Sequence, residues 1–312
     1  MRTRLLPILS LLLIALMLLG ACAVPGAQSV SSTDQTAVEG YAHPEVLVDT
    51  AWILEHVNDQ NVRLIDVSSN SDVFAAGHLP GAQFVDWQAD LTNPDDPVRG
   101  QVLTRDALSA LFSRLGVAND DTLVLYDDTN NLFAARAYWV LRYYQHHDVR
   151  VYNGGSKKWT ADGQQLTTEV EPASASQYLA GEPDSSIRTD WQYVVDHVGD
   201  SGTLFCDVRG PKEYAGTDVR SARGGHVPSA INVEWTNAVN QDGTFRAASE
   251  LGELYRKAGF TPDKEIITYC QTGVRGAHTW FVLRELLGYP NVRNYDGSWE
   301  DYGNQAESPI EQ

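Results

Sequence analysis

The chain has 312 residues, is 43% hydrophobic and 21% charged, and sets 23 Lys and Arg against 41 Asp and Glu for a net charge of −18. That length suits two ordinary domains and excludes a one-core miniprotein, while the composition excludes a disordered or collagen-like chain. The negative charge repels phosphate backbones and excludes nucleic acid as a partner, so an anionic substrate has to be met by oriented backbone N–H groups or a few local cations.

At the amino terminus Arg2 and Arg4 precede an apolar run of 15 residues, Leu5 to Leu19. Such a run is short for a spanning helix and right for the apolar region of a secretory signal, so residues 1–21 read as an address and not as fold. Leu19-Gly20-Ala21-Cys22 resembles the lipobox of bacterial lipoproteins, which implies cleavage before Cys22 and lipidation of its sulfur; the alternative is an ordinary signal peptide with an incidental Cys. Removal of residues 1–21 takes away Arg2 and Arg4 and leaves a charge of about −20 on the mature chain. Residues 22–43 read as a flexible tether, and the expected location is extracytoplasmic, held to the membrane through the lipid alone.

The rest of the chain repeats once. In the first copy the strand-like run Leu64-Ile65-Asp66-Val67 leads to Gly77-His78-Leu79-Pro80; a second run, Leu123 to Tyr126, ends at Asp127 and precedes a helical pattern over Ala134 to Arg142. In the second copy Leu204 to Val208 leads to Gly225-His226-Val227-Pro228, and Ile266 to Tyr269 ends at Cys270 before a helical pattern over Thr279 to Leu287. Tyr126 to Tyr269 and Tyr152 to Tyr295 are both 143 residues apart, a register that chance similarity does not hold. Short β-branched runs alternating with helical patterns predict an α/β fold in which each copy is a parallel sheet with helices on both faces. The copies are placed at 44–162 and 189–305, with 163–188, which lacks periodicity, as linker and 306–312 as tail.

Ligands of parallel α/β sheets sit at the carboxyl ends of strands. Cys270 stands there, followed by Gln271, Thr272, Gly273, Val274, Arg275 and Gly276, a turn whose N–H groups and following helix favour negative charge on the sulfur. Cys270 to Arg275, the two Gly-His-x-Pro elements and Asn294-Tyr295-Asp296-Gly297-Ser298-Trp299 resemble the rhodanese sulfurtransferases, from roughly Pro44 to Tyr302. The resemblance implies two tandem rhodanese-like domains with only the second catalytic. The 143-residue offset puts Asp127 where Cys270 stands, and a carboxylate cannot carry a sulfane sulfur. It further implies ping-pong transfer through a Cys270 persulfide, from thiosulfate to cyanide or a thiol, with 3-mercaptopyruvate as the other donor and a non-turning-over persulfide carrier as the other role. Neither cofactor nor metal is expected, since no metal-ligand spacing occurs among His and Cys. A phosphatase loop needs Cys-x5-Arg; Cys270 and Arg275 give Cys-x4-Arg.

The supporting residues carry two readings each. Arg275 meets substrate or orders the loop, or pairs with an acid. Asp207 orients loop groups or forms a turn, and Arg209 is a second cation at the site or a structural ion pair. The resemblance gives Asp66 and His78 a place on the cleft wall, although Gly-His-x-Pro histidines, His226 included, are more often structural. Cys206 reads as an inert core thiol, with a bond to Cys270 left open, and His278 and Trp299 as packing residues. Glu213 occupies a position where some relatives carry a substrate-contacting Arg, so that contact is not carried over.

Overall fold

In the first repeat five parallel strands, β1 (Leu47–Val48), β2 (Val62–Asp66), β3 (Gln83–Phe84), β4 (Thr122–Tyr126) and β5 (Asp148–Tyr152), pair in the order β1-β5-β4-β2-β3. The second repeat gives β6 (Arg188–Thr189), β7 (Thr203–Asp207), β8 (Ile231–Asn232), β9 (Glu265–Tyr269) and β10 (Val292–Tyr295), in the equivalent order β6-β10-β9-β7-β8. This is a computed structural model, and it describes residues 40–312; the signal segment, Cys22 and the tether up to residue 39 lie outside the described residues. The last residues assigned to the tether belong to the fold: Tyr41 is buried with its hydroxyl on the Arg246 carbonyl, and the Ala42 N–H bonds Leu286 O.

Side chains alternate across each strand and thereby sort into separate cores. In β4, Val124 and Tyr126 face an outer core private to the first repeat, whereas Leu123 and Leu125 face inward. In β9, Ile267 and Tyr269 face the second repeat's outer core, and Ile266 faces inward. The inward sets of both repeats merge into one continuous core, so the two units share their largest apolar surface. Two helices fill it: α1 (Leu132–Tyr143), apolar and buried on nearly every side, and α2 (Val274–Phe281), which continues as one π turn over Val282–Leu286. They meet at Tyr138 and Phe281, rings edge to face at 4.8 Å. These residues are one repeat offset apart, so a pseudo-twofold axis passes between them.

Polar contacts obey the same axis. Asp296 accepts the Val102 N–H at 2.8 Å, and its counterpart Asn153 accepts that of Phe245 at 2.9 Å. Segment 163–188 contains no helix, and only its final residue, Arg188, begins a strand; the rest is a strap over the first repeat. Thr167 bridges to His78, Ser176 bonds Ser113, and Tyr178 and Ala180 are buried. The carboxyl-terminal residues repeat the arrangement, Glu311 bridging to His226. A strap held by such isolated bonds has no periodicity to read.

The repeats are also joined by a buried ion pair. Arg136 of α1, 1% exposed at its side chain, donates to Asp296 Oδ1 at 2.6 Å and to the Gly100 carbonyl at 3.0 Å. Removing one member of such a pair leaves the other charged in a low-dielectric interior. Arg136→Met is therefore expected to lower unfolding free energy by about 3–5 kcal/mol, as checked by urea denaturation.

Candidate active site

Cys270 leaves the end of the central strand β9 and is 1% exposed, at the floor of a turn that runs into α2. Ser298 ties this turn down: its hydroxyl accepts the N–H of Cys270 at 3.0 Å and of Gly273 at 3.1 Å, and donates to Tyr295 O. Gly273 has φ +76°, and a Cβ there would stand 2.6 Å from the Asp296 carbonyl oxygen, so glycine is required on two counts. Asp296, the partner of Arg136, thus also forms the wall against which the turn is folded.

The first repeat shows what such a turn holds. The Asp127 carboxylate folds back into its own loop and accepts four backbone N–H groups, from Thr129 (2.8 Å), Asn131 (3.0 Å), Phe133 (2.8 Å) and Ala134 (2.9 Å). Burial pushes its pKa up to about 6 in spite of these bonds, so it remains mostly ionised at neutral pH. In the second repeat the counterparts of Thr129, Asn131 and Phe133 are Thr272, Val274 and Gly276, whose N–H groups have no acceptor among the described residues, while Ala277, the counterpart of Ala134, donates to Gly273 O at 3.0 Å. One loop is closed on an internal anion, whereas the other ends in a sulfur that can be charged with one.

Above the loop opens a cleft of ≈ 580 Å³ between the repeats. Gln271, Thr272, Val274, Arg275 and Arg220 line one side, and Trp87, Phe133, Arg99 and Gly100 the other. Trp87 and Phe133 stack at 4.9 Å and form an aromatic wall. The Gly100 turn closes on Thr272, 2.9 Å separating the Thr272 Cβ from where a Gly100 Cβ would be. Arg275 reaches the cleft already engaged: Nη1 and Nη2 donate to Glu213 Oε2 and Oε1 at 2.7 and 2.9 Å. Burial works against ionisation of Glu213, but the Arg275 bonds outweigh it and hold the carboxyl below its usual range. Of the two readings of Arg275, pairing with an acid is the arrangement found, and the acid is not on the surface but 5% exposed.

Other expected site residues fall elsewhere. Asp66 and His78 do not reach the cleft: both are buried in the first repeat, Asp66 accepting the Ser68 N–H and His78 stacked on Phe74 with its ring nitrogens at the carbonyls of Phe74 and Glu169. Phe74 and the Glu169 carbonyl of the strap thus enclose the His78 ring. Arg209 is no second cation of the cleft; it is clamped on Asp207 at 2.5 Å and lies over the Trp299 ring at 4.4 Å. Asp207 spends its carboxylate on that pair. Cys206 and Cys270 are both free, and burial pushes the Cys206 thiol well up. His278, buried against Trp235 and Phe245, is lowered by burial to about 3 and is neutral. Trp87, Arg99, Phe133 and Arg220 escaped the sequence reading because they lie on loops, or in the first repeat, far in sequence from Cys270. Among the described residues no group of three or more His, Cys, Asp or Glu is placed to hold a metal ion.

The family model of the Rhodanese-like domain matches twice, at residues 49–162 and 190–305. The sulfur carrier protein TtuD of Thermus thermophilus is 45% identical over 87% of this chain and 98% of its own length. A thiosulfate sulfurtransferase of Corynebacterium glutamicum is 39% identical over 88% of this chain and 93% of its own. Among solved structures, the 3-mercaptopyruvate sulfotransferase SseA of Escherichia coli superposes with a TM-score of 0.74 at 27% identity, over 81% of this chain and 98% of that one.

The Asp127 cradle makes a measurable demand on stability. Asp127→Ala strands four buried N–H groups and is expected to cost about 2–4 kcal/mol, with sulfur transfer at Cys270 largely kept. Because folding raises this carboxyl to about 6 from an ordinary 3.8, its contribution is fully present below pH 4 and declines as pH rises through 6. The unfolding free energies of wild type and variant, compared across that range, are expected to converge with rising pH.

Proposed function

Because the chain belongs to the rhodanese family, with its domain twice in tandem, we propose that this sulfurtransferase takes the outer sulfur of thiosulfate onto Cys270 and passes it to cyanide or a thiol. The observation that carries the proposal is the pair of equivalent loops, one closed by the Asp127 carboxylate and the other ending in Cys270. Four converging N–H donors hold a buried anion in the first. The second, built on the same strand and turn, leaves three of their counterparts, the N–H groups of Thr272, Val274 and Gly276, for a persulfide, the fourth, of Ala277, being bonded to Gly273 O.

The Cys270 thiolate attacks the sulfane sulfur; a new S–S bond forms, the old one breaks, and the electron pair leaves with sulfite. The acceptor then attacks the terminal sulfur, and the pair returns to Cys270. Charge developing on the leaving group and on the persulfide is met by preorganised backbone dipoles, which need no reorganisation during the reaction. In this reading donor and acceptor would come in turn to the same sulfur from the cleft lined by Gln271, Thr272 and Arg275, as a ping-pong scheme requires. A second reading, a carrier that is loaded once and unloaded by one partner, is favoured by the name of the Thermus relative. Lipid attachment at Cys22 would hold either activity at a membrane surface outside the cytoplasm, and it belongs to the same proposal.

Steady-state thiocyanate formation from thiosulfate and cyanide is expected, with Cys270→Ser folded as judged by circular dichroism yet at least about 10³-fold slower, as for loss of a covalent nucleophile. A single stoichiometric burst without turnover selects the carrier, and retained turnover in Cys270→Ser sinks the persulfide. Cells given labelled palmitate are expected to label the wild-type chain but not Cys22→Ser; equal labelling, or none in the wild type, refutes the anchor.

A further inference from the structure

Glu213 is fixed in place from three directions. Its carboxylate fills the terminal fork of Arg275 and accepts the Gly210 N–H at 3.2 Å, and Arg220 Nη1 lies 3.5 Å from Oε1. Arg275 and Arg220, the two cleft cations of the second repeat, therefore share one buried carboxylate. The third cation, Arg99 from the first repeat, pairs with Glu300 at 3.2 Å, and Arg220 also pairs with Asp218 at 2.7 Å. None of the cations lining the cleft is without an acidic partner. Arg275 nonetheless keeps an open edge: among the described residues its Nε–H has no acceptor, and the side chain, 18% exposed, lines the cleft.

We propose that Glu213 sets the charge preference of this cleft, restraining its affinity for dianionic donors by holding the terminal fork of Arg275. The proposal rests on the cleft being the donor site. An anion bound at the open edge of Arg275 lies within a guanidinium's width of the Glu213 carboxylate, and like charges so close repel appreciably in a partly desolvated site. Glu213 cannot swing aside, since Gly210 and Arg220 hold it as well. It is a positioning residue that never touches the reacting sulfur. The design favours donors of low charge, such as an organic persulfide, over free thiosulfate, which is turned over but bound weakly.

The test compares the full wild-type chain with Glu213→Gln, an amide of the same shape that can still accept from Gly210 and one Arg275 nitrogen. The KM for thiosulfate is expected to fall about tenfold, as for removal of one like charge beside a bound anion, while kcat changes by less than about twofold. An independent readout is the rate of Cys270 alkylation by anionic iodoacetate relative to neutral iodoacetamide, followed by mass spectrometry with buried Cys206 as internal reference. That ratio is expected to rise about tenfold in Glu213→Gln. An unchanged or higher KM with an unchanged alkylation ratio overturns the proposal. So does a joint loss of kcat and stability without a shift in the ratio, which would make Glu213 only structural. A wild type that turns over no thiosulfate while the ratio still rises in the variant sinks the donor assignment and leaves the role of Glu213 standing.

Discussion

The arrangement depends on Asp296. This one buried carboxylate accepts Arg136 from the first repeat, accepts the Val102 N–H from the loop leading into the cleft, and stands 3.4 Å from Arg188 at the start of the second repeat's sheet. Its own backbone is the surface on which Gly273 turns. A desolvated carboxylate is tolerable only when every neighbour is a donor, so the two repeats have one relative placement that satisfies it. Domain docking and the shape of the Cys270 turn are thereby made a single problem. The apolar core shared across the axis supplies the driving force, and Asp296 supplies the register.

Duplication explains why the site is lopsided. Both repeats build the same trap, a parallel strand that ends in a turn whose N–H groups converge at the start of a helix. The first copy fills the trap with its own side chain, and α1, which follows that loop, is free to serve as packing between the units. The first turn of α1 supplies Phe133 to the aromatic wall. The second copy keeps the short Cys270 side chain in the same place and recruits Ser298, where the first has Gly155, to hold the turn without occupying it. A serine at φ +50° is strained backbone, and it is found where the hydroxyl has three partners to justify it.

Much of this was legible in the chain itself. The offset of 143 residues exposed the duplication, the alternation of β-branched runs and helical patterns gave parallel sheets, and a Cys before Gln-Thr-Gly-Val-Arg at a strand end marked the candidate site. What could not be read were contacts made across the axis. Arg99 and Trp87 sit in loops with no periodic signal, and their roles arise only when the repeats dock. Arg209 and His78 illustrate a related limit: a cation or a histidine near a motif looks available until its neighbours are known, and here Arg209 is taken up by Asp207 and Gly225 and His78 by Phe74 and the strap. Asp127 was read as a loss of function, yet the structure gives it a positive task. The strap over 163–188 lacked a pattern because single bridges to the first repeat hold it, and nothing in such a segment repeats.

The excess of acid takes on a more specific meaning at the cleft. Simple electrostatics would have a chain of charge −18 gather its few cations where an anion reacts, but each of Arg99, Arg220 and Arg275 arrives there with a carboxylate attached. Ion pairs cancel at a distance, so the cleft draws anions from solution only weakly. Backbone N–H groups differ from arginines in that no neighbouring carboxylate can neutralise them without physically entering the loop, as Asp127 does in the first repeat. In the Cys270 turn three of them are left without an acceptor among the described residues, beside a sulfur that is almost fully buried. Stabilisation of charge is therefore concentrated on the atom that carries the cargo and withheld from the approach to it, which suits a site that must accept a sulfur from one molecule and surrender it to another without trapping either.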